Sequence, residues 1–161
     1  MSELVITSQG FERLSGELQR LKREERRRVA ERLREAASDE ANLAQSMEYL
    51  DAREQKLRLE RRISLLRERL RSARIVEPCL GNGRVDLGER VRVREVISGH
   101  SLELELVGQF EGDFAAGRVS VASPLGRALV GLRKGEIAKI DAPRGSFAFE
   151  VLAIEIPAQV A

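Results

Sequence analysis

Acidic and amide side chains cluster in one short stretch of the chain, at Asp39, Glu40, Asn42, Gln45 and Glu48 within "ASDEANLAQSMEYLDAREQ", residues 37–55. Carboxylates of this kind hold hard divalent cations through oxygen and can position an attacking water. Amides offer an acceptor oxygen without the charge. Asp39 and Glu40 are adjacent carboxylates. As sequence neighbours they point about 100° apart on a regular helix, so they converge on one ion only in a loop. The plainer reading makes Ser38 a helix N-cap, with Asp39 and Glu40 favourable to the dipole in the first turn. Elsewhere reactive chemistry is sparse. His100, the one histidine, sits beside Gly99 in an expected hairpin turn, where exposure is the expectation. Cys79 is the one cysteine, so no internal disulfide can form; it reads as a small half-buried residue, and the cytoplasm as its compartment.

The elements that carry this stretch have helical period. Thr7 or Ser8 can cap a helix near Gln9, and Phe11, Leu14, Leu18 and Leu21 follow at spacings of three and four. The seam continues less cleanly through Val29, Leu33 and Ala36 or Ala37. Met47, Leu50 and Leu57 are expected to restart it, and Leu59, Ile63, Leu66, Leu70 and Ala73 to keep the rhythm. Two such arms of about 30 residues bury their seams as an antiparallel hairpin, each about 45 Å long. Charged seam positions (Glu25, Arg28, Glu54, Arg61) favour a two-helix rod, and a monomer, over a larger bundle.

After Ala73 the period changes to two. Pro78, Gly81, Gly83 and Gly88 punctuate the change. "RVRVREV", "SLELELVG", "GRVSVASP", "EIAKIDAP" and "SFAFEVLAIEIP" read as strands, "PRGS" as a hairpin turn and "SPLGRALVGLRKG" as one short helix. The expected fold class is α+β: an N-terminal antiparallel coiled-coil hairpin (1–76), a linker (77–83) and a small antiparallel-sheet domain with one short helix (84–161).

Composition bounds the partners. Residues 11–74 hold 18 Lys and Arg against 13 Asp and Glu, and the remainder 10 against 13. The basic residues alternate with Glu at helical spacing, as on a solvated face, and no DNA-reading motif accompanies them. No run of 18 apolar residues exists, so no membrane partner is expected.

The hairpin followed by "SPLGRALVGLRKGE" and "FEVLAIE" resembles the bacterial Gre transcript-cleavage factors, GreA and GreB. "ITSQGFERLSGELQRLK", "EYLDAREQ" and "NGRVDLGERVRV" match in order and spacing over nearly the whole chain. The resemblance implies an FKBP-like second domain and RNA polymerase as partner. The hairpin would enter the polymerase secondary channel, touching nucleic acid only through the transcription complex. Ser123, Pro124 and Leu125 would dock at the channel mouth, with Ala122 where the family often has Asp or Asn. It also implies an accessory factor with no catalytic residues or cofactor of its own. In cleaving members two tip carboxylates help hold Mg²⁺ shared with the polymerase active site.

The tip departs from that pattern. Cleaving members read G-D-L-x-E-N-x-E-Y, and this chain reads "ANLAQSMEY". Asn42 and Gln45 stand where the carboxylates stand; Leu43, Glu48 and Tyr49 match. Counted forward from Gly10, the first arm is also one residue longer than in cleaving members, with the extra residue between Lys22 and Leu43. Two functional readings follow from the resemblance. One is a Gre-type elongation regulator that fills the channel with weak or no cleavage. The other is a cleavage factor whose extra residue brings Asp39 and Glu40 to the metal. Outside the family, a coiled-coil scaffold unrelated to transcription remains. A prolyl isomerase is poorly served by 4% aromatic residues.

Overall fold

The computed structural model describes residues 4–38, 46–77 and 81–157. The chain divides into two compact units, Phe11–Ala73 and Met1–Gly10 with Arg74–Ala161. Helix α1 (Ser8–Arg20) runs into a π-helical turn (Leu21–Glu25) and then α2 (Arg26–Ala37); α3 (Met47–Ser72) returns.

In the helical unit Leu14, Leu21, Ala52, Ile63 and Leu66 are buried. Full burial of a Leu or Ile contributes about 1.5–3 kcal/mol, so these few side chains hold the two arms together. Their order fixes an antiparallel pairing. Glu17 meets Arg62, Arg26 meets Glu60, and Arg32 meets Asp51 and Gln55. The expected second-arm seam holds from Leu59 to Leu70 but not at its start. Met47, Leu50 and Leu57 are exposed, and Ala52 is fully buried in their place, with Tyr49 and Gln55 half-buried beside it. A small residue and two amphipathic ones let the arms approach where the larger apolar ones face water.

The second unit holds the sheet. Strands β3 (Arg90–Glu95), β4 (Ser101–Val107), β5 (Arg118–Ser120), β6 (Ile137–Ala142) and β7 (Gly145–Glu155) take the order β5-β4-β3-β7-β6. The pairings are antiparallel except that β5 runs parallel to β4. The chain leaves β4, turns back through residues 108–117 and re-enters in the same direction. The alternation "RVRVRE" does what its period demands: Val91 and Val93 are fully buried, while Arg92 and Arg94 face outward to Glu103 and Glu150. The register slips beside Arg92 and Val93, which face Ala153 and Val151, so Leu152 is the extra residue. This bulge returns Val151 and Ile154 to the same apolar face. Helix α4 (Pro124–Leu129) closes that face, with Leu129 fully buried.

Two short strands lie outside the sequence expectation. β1 (Leu4–Ile6) and β2 (Ala73–Ile75) form a separate two-stranded sheet, although "ARI" reads as the end of a helix. Three residues are too few to show a period.

Candidate functional site

Of the five tip residues, Asp39, Glu40, Asn42 and Gln45 lie outside the described residues. The structure defines what flanks them. α2 ends at Ala37, and Ser38 closes it in helical conformation: its N–H and its hydroxyl both donate to the Glu35 carbonyl, at 3.2 and 2.7 Å. The N-cap role expected of Ser38 therefore falls to Ser46. Ser46 has extended backbone (φ −69°, ψ 117°), and its hydroxyl accepts from the Tyr49 N–H at 3.4 Å. Both serines suit a cap by type, and only the backbone angles separate them. Glu48 is exposed in the first turn of α3, where its charge complements the helix dipole.

The arms approaching the tip are laced by charge. Arg26 grips Glu60 with two parallel bonds, 2.8 and 2.6 Å. Hydrogen bonding to Arg26 holds the Glu60 carboxyl below its usual range, and the same bond raises the guanidinium. Arg32 reaches Gln55 at 3.1 Å and Asp51 at 3.3 Å.

The residues at positions 42 and 45 are amides. An Asn and a Gln bring acceptor oxygens but no negative charge to offset a divalent ion. Among the described residues, no three His, Cys, Asp or Glu side chains come together as a metal site.

The expected docking residues are brought together. Ser123 caps α4: its hydroxyl accepts from the Gly126 N–H at 3.0 Å and donates to the Ser120 carbonyl at 2.7 Å. Pro124 follows at the first helical position, where its missing N–H costs nothing. Pro124 is exposed, while Leu125 packs against the sheet core. All three line a shallow groove of about 390 Å³ with Phe114, Val119 and Ile140. Phe114, 65% exposed, is a lining residue that sequence reading passed over, because the 3-10 turn it opens, Phe114–Ala116, is too short to show a period. Gly126 was missed as well. A Cβ there would lie 1.9 Å from the Ser120 carbonyl oxygen, so the helix seats its backbone directly on β5. His100 is exposed beside Gly99 as expected, and Cys79 lies outside the described residues.

A buried acid anchors the start of α1. Glu111, 4% exposed, accepts from the Thr7 N–H at 2.8 Å, the Thr7 hydroxyl at 2.8 Å and the Gly108 N–H at 3.1 Å. Thr7 in turn accepts from the Gly10 N–H at 3.0 Å, so it is the helix cap. The sequence names Thr7 but not the acid 104 residues away that holds it.

The described residues give two helical arms and a sheet domain that offers an apolar groove, and both parts match known proteins of one kind. Residues 80–156 match "Transcription elongation factor, GreA/GreB, C-term", and residues 4–75 match "Transcription elongation factor, N-terminal". The chain belongs to the GreA/GreB transcription elongation factor family. Transcription elongation factor GreA of Syntrophobacter fumaroxidans is 40% identical over 96% of this chain and 99% of its own length. GreA of Alkalilimnicola ehrlichii is 36% identical over 96% and 98%. The crystal structure of GreA factor homolog 1 of Thermus thermophilus covers 96% of this chain and 99% of its own, with 33% identity and a TM-score of 0.43.

Proposed function

We propose that this chain is an elongation regulator that binds RNA polymerase, enters the secondary channel with its helical hairpin and stimulates transcript cleavage weakly or not at all. The observation that carries the proposal is the tip "ANLAQSMEY", in which Asn42 and Gln45 replace both carboxylates of the cleaving pattern. An amide cannot neutralise Mg²⁺ or take a proton as a carboxylate does. The factor then acts by occupancy, standing where nucleotides enter and where a cleaving relative would sit. The groove holding Ser123, Pro124 and Leu125 supplies the docking surface, as a monomer in the cytoplasm. Family membership supports the partner, and no helix among the described residues is long and apolar enough to cross a membrane.

The test is a backtracked elongation complex incubated with the pure protein and Mg²⁺. The expected result is no release of short 3′ RNA fragments above polymerase alone, and release by the Asn42→Asp/Gln45→Glu variant. Prompt release by the unaltered protein overturns the proposal. If that release is lost in Asp39→Ala/Glu40→Ala, the metal-contacting role belongs to those two acids.

A further inference from the structure

The first arm is not one continuous α-helix. At Leu21–Glu25 it widens to a π turn, and the Arg26 N–H donates to the Leu21 carbonyl five residues back instead of four. Such a turn holds one residue more than the α-helix it interrupts. The seam shows why that matters. Leu14 and Leu21, seven apart, face α3 and are buried. Val29 and Leu33 are half-buried on the same seam, eight and twelve residues beyond Leu21. On an unbroken α-helix, at about 100° per residue, Val29 would lie about 80° and Leu33 about 120° from Leu21. Taking one residue out of the count brings both within about 20°. The cross-arm bonds of Arg26 to Glu60 and of Arg32 to Asp51 then fall on the flanks of that seam.

We propose that the π turn Leu21–Glu25 is the positioning element of the arm. It absorbs one surplus residue, so that α2 stays in phase with α3. The functional meaning rests on the reading of the tip given above. A surplus residue taken up here need not be taken up nearer the tip, which agrees with aligning Asn42 and Gln45 backwards from Glu48 and Tyr49. The phase itself is independent of any activity.

The experiment compares two one-residue deletions in a chain carrying Arg32→Cys, Gln55→Cys and Cys79→Ser, with spin labels on the two introduced thiols. Arg23 is exposed inside the turn, and Lys56 is exposed on α3, which has no such turn between position 55 and the buried Ile63. Deleting Arg23 should convert the turn to regular α-helix, retain the circular dichroism spectrum and leave the inter-label distance unchanged. Deleting Lys56 has no surplus residue to draw on and rotates the distal part of α3 by about 100°, which moves a label on its surface by roughly 10 Å. The expected outcome is therefore parental distances for the first deletion and a shifted or broadened distribution for the second. The proposal is overturned if deleting Arg23 unfolds the hairpin or shifts the distance, or if deleting Lys56 leaves it unchanged. Neither result involves polymerase, so failure here is distinct from failure of the cleavage assay.

Discussion

Gly10 and Glu111 should be coupled strongly enough to reverse the sign of a mutation. A Cβ on Gly10 would lie 2.0 Å from the Glu111 carboxyl carbon and from one of its oxygens. A flexible acid would swing aside, but this one is pinned by the N–H and hydroxyl of Thr7 and the N–H of Gly108. Gly10→Ala must therefore break those bonds, orphaning donors that cost about 1–3 kcal/mol each when left unmade and away from water. Allowing for partial rehydration, the single variant should lose about 2–4 kcal/mol. Glu111→Ala removes the same acceptors and should lose a similar amount. In the Glu111→Ala background the clash is gone. Alanine then contributes only its helical advantage over glycine, up to about 0.5–1 kcal/mol. Gly10→Ala should thus destabilise the parent and stabilise the Glu111→Ala protein, with a coupling of about 2–5 kcal/mol, the loss in one background added to the gain in the other. Urea denaturation of the four proteins of this cycle, followed by circular dichroism, measures it. Additive losses would show that the carboxylate and the helix start are not in contact, and would refute the reasoning.

Glu60→Gln tests the cross-arm pair through pH. The folded-state pKa of Glu60 is lowered, so its contribution is present above the ordinary carboxylate value and is lost as pH falls through the folded one. The melting temperature of Glu60→Gln should lie slightly below the parent at pH 7, and the two should converge in acid; a gap that widens on acidification contradicts the assignment. Gly126→Ala tests the seat of α4. Its Cβ would meet the Ser120 carbonyl oxygen at 1.9 Å and the Val121 Cα at 2.8 Å, both backbone. The overpacking cost of about 1–3 kcal/mol exceeds the helical gain of alanine, so the urea midpoint and affinity for polymerase should both fall. An unchanged midpoint would mean that the helix does not depend on this contact.

Much of the fold was legible because it obeys simple periods. "RVRVRE" could only present Val to a core and Arg to water, and Ser123-Pro124 announces a helix start by its chemistry alone. What was illegible depends on distance or on backbone. Glu111 is one of many acids in the sequence, and only the fold carries it to Thr7. The parallel entry of β5 follows from the path of a loop, which has no pattern to read. At the start of α3 the period itself misled: Met47, Leu50 and Leu57 are apolar and recur at helical spacings of three and seven, yet the seam chose Ala52. Packing there is set by how closely two backbones approach, and a large side chain on the contact line would hold them apart. The π turn left a trace, the eight-residue step from Leu21 to Val29, which reads as a blurred seam until the backbone explains it. The tip amides are legible in type, while four of the five residues lie outside the described part of the structure.

The distribution of burial along the hairpin bears on how firmly it can present anything at its tip. The buried apolar side chains cluster toward the base, at Leu14, Leu21, Ile63 and Leu66. α2 buries none, and the only buried residue of α3 facing that stretch is Ala52. Beyond the half-buried Val29 and Leu33, what joins the distal halves is polar: Arg26 with Glu60, and Arg32 with Asp51 and Gln55, the charged side chains substantially exposed. Exposed ion pairs gain little over hydration and are screened within about 10 Å at 0.1 M salt. Amide hydrogens of the distal parts of α2 and α3 should therefore exchange faster than those near Leu21 and Ile63, and uniform protection along both arms would contradict this. Specificity in that region cannot come from a tight core. It has to come from geometry fixed further back, at the buried Leu21 and the π turn that starts there, with the charged pairs serving to keep the arms in register once that phase is set.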